Sequence, residues 1–212
     1  MALLKTKIFD STLRLSAPGM SELKLPLLKT EGIPKMVEIW GERCEALLAD
    51  KQSESWISEF LGEKCNFVYM PDHTNRQVDQ RYAIGKNQVA FSDGFPLLLI
   101  PESSLKDLNS RIPEEISMKR FRPNLVVKNT LPYQEDNWRV IRIGECELQI
   151  AKPCSRCVLI TVDPETGKFS GREPLRTLAK YRKFNGEVVF GQNLIPRSSG
   201  KIEVGMKIEI LK

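Results

Sequence analysis

From Leu125 onward the chain is crowded with short aliphatic and β-branched runs, at residues 125–128, 140–143, 148–151, 158–162, 188–190 and 202–211. Six runs of this length at this spacing cannot bury themselves singly. They predict strands that close into a barrel or stack as a sandwich. Asp163-Pro164-Glu165-Thr166-Gly167-Lys168 reads as a turn between two of them. Residues 174–183 place Leu175, Leu178 and Tyr181 on one face, which predicts a helix inside the β region.

The earlier part is built differently but is also rich in strand signals. Thr12-Leu13-Arg14-Leu15 and Leu23-Lys24-Leu25 alternate, and residues 35–40 and 43–48 flank Gly41-Glu42 as strand, turn, strand. Residues 53–61 carry Trp56, Ile57, Phe60 and Leu61 at helical spacing and stop at Gly62, a C′ signal. Residues 65–70 predict a further strand. The polar, turn-rich stretch 71–81 marks a domain boundary. Beyond it, 95–100 reads as a buried strand, and Ser104-Leu105-Lys106-Asp107 has capping-box spacing before Leu108 and Ile112. The expected fold class is mainly β with a few helices, α+β.

A chain of 212 residues has room for two such domains. The longest apolar runs, such as Leu97-Leu98-Leu99-Ile100, fall far short of the ~20 residues of a membrane helix. Lys5 and Lys7 break up the first apolar patch, so no secretion signal is read and a cytoplasmic location with no membrane partner is expected. Five cysteines, Cys44, Cys65, Cys146, Cys154 and Cys157, are then read as reduced thiols. Charge is uneven. Residues 1–80 hold 10 basic and 12 acidic groups, whereas residues 81–212 hold 22 and 15. A basic second part suits an anionic partner such as a phosphate-bearing cofactor, although the interspersed signs also fit an ordinary solvated surface.

Phosphate-loop, dinucleotide-fold, zincin and nucleophile-elbow signatures are absent from the sequence. Aromatics make up 8% and form no stacking run, so no nucleic-acid partner is expected. Cys154-Ser155-Arg156-Cys157 is a CxxC between two expected strands. Its residues alone leave four readings open: part of a zinc site, a redox dithiol, a single thiolate ligand for a soft metal, or two inert thiols. Lys119-Arg120-Phe121-Arg122-Pro123-Asn124 sets three cations and an amide before a strand. Guanidinium groups match phosphate in bidentate fashion, and Pro123 biases Arg122 toward extended geometry, so that Arg122 and Asn124 share a side. Asp93, between Ser92 and Gly94, is either a turn residue or a proton donor. His73 has no evident partner in the sequence.

Six segments in order, Phe91-Ser92-Asp93-Gly94-Phe95-Pro96, Ser103-Ser104-Leu105-Lys106-Asp107-Leu108-Asn109, Arg120-Phe121-Arg122-Pro123-Asn124, Lys152-Pro153-Cys154-Ser155-Arg156-Cys157, Thr161-Val162-Asp163-Pro164 and Phe190-Gly191-Gln192-Asn193, resemble the MOSC-domain family. The branch they look most like is that of the mitochondrial amidoxime-reducing component and its bacterial relatives that detoxify N-hydroxylated bases. The resemblance implies a MOSC-type β-barrel over residues 85–212 and, over 1–75, the later part of a β-rich N-terminal domain. It implies a molybdenum-pterin cofactor, with Cys157 as the metal ligand and Cys154 its neighbouring thiol. Arg122 and Asn124 match cofactor-contacting residues, and Asp93 matches an acidic residue near the metal. The implied activity is reduction of N-hydroxylated compounds such as hydroxylamino-purines or amidoximes. The alternative is a non-catalytic cofactor-binding or sulfur-carrier module. In the family an opening strand with a Lys-Ser pair and a basic segment precede the position that Met1 matches, and bacterial relatives often add a ferredoxin-like domain after the barrel. Electrons are accordingly expected from a separate flavoprotein or iron–sulfur protein.

Overall fold

The computed structural model describes residues 1–29 and 31–212 and divides into two compact units, Met1–Arg76 with Glu165–Gly167, and Gln77–Pro164 with Lys168–Lys212. In the first unit, β1 (Lys5–Phe9), β2 (Thr12–Ser16) and β3 (Leu23–Pro26) form one antiparallel sheet. β4 (Pro34–Ile39), β5 (Glu42–Leu48) and β6 (Val68–Tyr69) form another. The β4–β5 loop is Trp40-Gly41, both at positive φ (52° and 85°), the two-residue turn whose twist suits a hairpin. Helix α1 (Lys51–Leu61) is capped at both ends. Asp50 Oδ1 accepts from the Ser53 N–H at 2.8 Å, and Gly62 at φ 73° donates to the Ser58 carbonyl. Its Trp56 and Ile57 pack on Leu15 and Leu23.

The second unit holds β7 (Leu97–Pro101), α2 (Glu102–Asn109), β8 (Leu125–Val127), β9 (Val140–Ile143), β10 (Cys146–Ser155), α3 (Leu175–Tyr181), β11 (Lys183–Phe184), β12 (Glu187–Pro196) and β13 (Ile208–Ile210). Strand order is β13-β9-β10-β12-β7-β8, with β11 paired to β12, in a nearly closed barrel sheet. The pairing is antiparallel throughout except β7 with β8, which run parallel with α2 between them in sequence. Alternation along β7 sends Leu99 into one core with Trp138, Ile141 and Leu148, and Ile100 into a second with Leu108, Phe121, Leu178 and Phe190. Both faces of β7 thus contribute to a core, as its uninterrupted apolar run requires.

Several sequence expectations shift in detail. Residues 158–162 are not a strand: Val158–Thr161 is a 3-10 helix, closed by Thr161 Oγ1 donating to the Val158 carbonyl at 2.7 Å. A short apolar run does not distinguish these states by itself. Ser104 is not an N-cap. Helix α2 begins at Glu102 after Pro101, and the Ser104 hydroxyl is buried inside its first turns. The run 202–211 is a strand only at Ile208–Ile210, and 65–70 only at Val68–Tyr69. β1 was not read from the sequence, and β10 and β12 extend to ten residues each.

Two breaks in the β10–β12 ladder shape the unit. Ile150 faces Leu194 but Lys152 faces Asn193, so Ala151 is an extra residue on β10. Pro153 faces Gln192 but Ser155 faces Val189, so β12 carries the extra residue at Phe190-Gly191. Gly191 sits at φ 78°, and a Cβ there would lie 2.6 Å from Ile100 Cγ1 and 2.7 Å from the Leu99 carbonyl. Glycine is required on both counts.

A polar network lies against the second core. Glu135 is fully buried, and its carboxylate takes the Ser104 hydroxyl at 3.1 Å, while Ser104 Oγ accepts the Tyr133 N–H. Asp136 holds Arg182 at 2.6 and 3.0 Å and accepts from Gln192 Nε2 at 2.7 Å. Tyr133 Oη donates to Asp107, which also pairs with Arg111. Burial pushes the Glu135 carboxyl up to about 7, with the Asp136 charge adding to it.

Gly191→Ala should cost about 2–4 kcal/mol, because left-handed backbone strain adds to a clash with backbone that cannot move away. Urea denaturation checks this, and a loss under 1 kcal/mol would mean that the bulge is not rigid. Because folding favours the neutral form of Glu135, its contribution is complete below about pH 4.5 and is lost as pH rises through about 7. Melting curves from pH 4.5 to 8 should show Glu135→Gln gaining on the wild type as pH rises. Parallel profiles would contradict this.

Candidate functional site

The CxxC lies where β10 ends. Cys154 and Ser155 are its last ladder residues, and Cys157 is the residue from which the Val158–Thr161 3-10 helix starts. Cys157 is exposed and Cys154 half-buried. Between them, Arg156 turns inward. Its Nε and Nη2 donate to the Phe190 carbonyl at 2.9 and 2.6 Å, its Nη1 to the Phe121 carbonyl at 3.3 Å, and its guanidinium lies 5.4 Å from the Phe121 ring. The Phe190 carbonyl belongs to the β12 bulge, and the Phe121 carbonyl immediately precedes Arg122. One side chain thus ties the CxxC, the bulge and the cationic segment together. Burial lowers the Arg156 pKa, while the two flanking thiols oppose that shift.

The cationic segment splits by role. Arg120 is folded away, donating to Ser170 Oγ at 2.8 Å and pairing with Asp163 at 3.2 Å. Arg122 is exposed, and its backbone is left-handed at φ 52°, not extended as Pro123 was expected to impose. The physical reason is that residues Met118–Arg120 form a 3-10 turn, and the chain leaves it by reversing at Arg122. Pro123 disfavours the right-handed well at its predecessor, which leaves the left-handed well for that reversal. A non-glycine residue held there stores about 1–2 kcal/mol of strain.

Asn124 sits across the strand ends from this turn. Its backbone N–H donates to the Leu98 carbonyl and its Oδ1 accepts from the Leu98 N–H, both at 2.9 Å. Leu98 pairs in register with Asn193, whose side chain hydrogen-bonds the Cys154 thiol. The line from Asn124 through Leu98 and Asn193 to Cys154 crosses the sheet. Asp93 is exposed and close enough that its charge, after burial, raises the Cys154 thiol, while Arg156 and Lys152 pull it down. Asp93 therefore lies near Cys154, Asn124 is tied to the same sheet through Leu98, and Arg122 is one residue from the Arg156 clamp. His73, unpaired in the sequence reading, meets Glu45 at 2.8 Å.

Arg156 as a backbone clamp was not foreseen, nor was the β12 bulge that feeds it. An isolated glycine directly after the apolar run at residues 188–190 was the available signal for the bulge. Among the described residues no three His, Cys, Asp or Glu side chains gather as a metal site. The donor set on offer is one exposed thiol with cations beside it. That set fits a soft metal that brings its other ligands with it, such as sulfur from a pterin dithiolene, and an anionic group that the cations can hold.

Arg156→Lys should destabilise the protein by about 1–3 kcal/mol, since a point charge cannot replace a fork reaching two carbonyls. A variant that unfolds at the same urea concentration as the wild type would show that the clamp is dispensable.

A model of the MOSC domain matches residues 86–209. Mitochondrial amidoxime-reducing component 1 of Mus musculus is 35% identical over 221 residues, covering 95% of this chain and 63% of that protein. Its counterpart in Homo sapiens is 34% identical over 213 residues, covering 94% and 63%. The molybdenum cofactor sulfurase of Oryza sativa subsp. japonica is 33% identical over 187 residues, covering 80% of this chain and 23% of that protein. The chain thus spans 63% of the length of the two mammalian relatives.

Proposed function

The chain belongs to the MOSC domain family, and from that membership we propose that it is a molybdenum-pterin-dependent reductase of N-hydroxylated compounds such as hydroxylamino-purines or amidoximes. The observation that supports this reading is the exposed Cys157 thiol next to Arg156, whose guanidinium reaches the Phe190 carbonyl and the Phe121 carbonyl just before Arg122. In this reading residues 85–212 are the MOSC domain and residues 1–75 belong to the β-rich domain that accompanies it. The protein works in the cytoplasm and draws electrons from a separate flavoprotein or iron–sulfur protein.

The bound cofactor supplies two-electron chemistry that takes oxygen from a substrate N–OH. Cys157 contributes the thiolate ligand, which suits a soft, redox-active metal. Cys154, raised by burial, stays a neutral thiol and does not compete for the metal. Arg122 faces solvent from a strained turn and offers its guanidinium to an anionic group of the pterin. Asn124 is fixed by its two hydrogen bonds with Leu98 and adds a directional contact. Asp93 is the acidic residue assigned to proton delivery toward the departing oxygen. The second reading, a non-catalytic cofactor-binding or sulfur-carrier module, is favoured by the match to the molybdenum cofactor sulfurase.

Protein made in a host that synthesises the cofactor should carry molybdenum and pterin. Cys157→Ser should abolish molybdenum retention and Cys154→Ser reduce it less. Given a strong artificial reductant, the loaded wild type should reduce an amidoxime, and Asp93→Asn should slow turnover more than it weakens cofactor binding. Equal metal loss in both cysteine variants would sink the ligand assignment. Bound cofactor with no turnover would favour the carrier.

A further inference from the structure

The outer face of the N-terminal sheet carries a row of cations that folding itself does not ask for. Leu13, Leu15, Leu23 and Leu25 turn inward toward the α1 side chains. The residues between them point the other way. In register, Lys7 faces Arg14 and Arg14 faces Lys24. Three positive charges therefore stand side by side across β1, β2 and β3, about 10 Å from first to last at the usual strand spacing. Lys5 adds a fourth on the same face, two residues from Lys7. Like charges directly opposite one another destabilise a sheet.

Little on this face offsets them. Glu22 Oε1 lies 3.7 Å from Arg14 Nη1, and Arg14 Nε meets no acceptor among the described residues. The Arg14 guanidinium is held in place, 4.7 Å from the Phe9 ring centre. Over the face lies a cavity of about 550 Å³, lined by Lys5, Lys7, Phe9, Arg14, Ser16 and Glu22. That volume falls within the usual range of small-molecule sites.

We propose that this face binds a small molecule bearing a diphosphate or longer phosphate chain. A pre-positioned arginine supplies the fork that phosphate oxygens take in bidentate fashion, and lysines on either side supply point charges for the neighbouring phosphate. The row is short and is interrupted by one carboxylate, and its aromatic is already covered by Arg14. These features suit a compact polyanion rather than a nucleic-acid strand, which needs a longer track and open stacking faces. The site lies within the first unit and does not rest on the cofactor reading.

Calorimetric titration of the full chain with inorganic pyrophosphate at low salt tests this. Binding is expected to weaken as salt is added. Lys7→Gln combined with Lys24→Gln should weaken it at least tenfold. With no anion present, the same double variant should melt above the wild type, because two like-charge contacts are gone. Equal affinity in wild type and double variant would overturn the proposal, as would a loss confined to Arg122→Ala. Binding of single-stranded DNA or phosphatidylserine vesicles that the double variant abolishes, with no pyrophosphate binding, would also overturn it and assign the face to a polymer or a membrane.

Discussion

Arg156 places a charged fork among backbone carbonyls that a regular ladder would have used up. The Phe190 carbonyl is available because β12 holds one residue more than β10 at that point, and the extra residue fits only because Gly191 has no Cβ to strike Ile100 and Leu99. Once made, the contact settles three things together: where β10 stops, where the 3-10 helix after Cys157 starts, and how closely the Phe121 turn approaches. Hydrogen bonds from a charged donor are worth more than neutral ones, and this donor is largely removed from water. The exposed thiol of Cys157 inherits its position from this anchor without being buried by it.

The same strand is tied down from its other side. Gln192, next to Gly191, donates to Asp136, which in turn holds Arg182. Arg182 lies 4.3 Å from the Tyr133 ring centre, and Tyr133 reaches Ser104 and Asp107 on α2. The bulge is thus fixed between two polar anchors that share no residue. Partly satisfied buried networks are costly, and this one closes almost all its bonds, leaving Arg182 Nε as its buried donor without a partner among the described residues.

Local signals were legible where the chain decides locally. The helix ending at Gly62, the hairpin around Gly41 and the helix carrying Leu175, Leu178 and Tyr181 all follow from spacing and turn chemistry, although the hairpin turn is Trp40-Gly41, one residue earlier than the Gly41-Glu42 read from the sequence. The density of β-branched runs pointed to a barrel or a sandwich, and the family resemblance chose the barrel. What stayed hidden depends on partners far away in sequence. Ser104 has the spacing of a cap, but its hydroxyl is claimed by Glu135, 31 positions on. Residues 158–161 have strand composition, yet no neighbouring strand offers them a ladder, so they coil. Arg122 reverses because of the turn before it, against the bias of the proline after it. At the site, the residue types at Cys157, Arg122, Asn124 and Asp93 came from ordered motifs. How the segment 154–157 meets the Phe121 turn depends on the β12 bulge, which no local pattern encodes.

Asn124 spends its side-chain oxygen on the Leu98 N–H, a donor that can be met only by an acceptor. The orientation of its amide is therefore decided by the strand beside it: Oδ1 points at Leu98 and the NH₂ is not needed for that contact. The backbone of β7 thus chooses which end of this side chain is committed to the fold, and leaves two N–H donors that the sheet has not claimed from it.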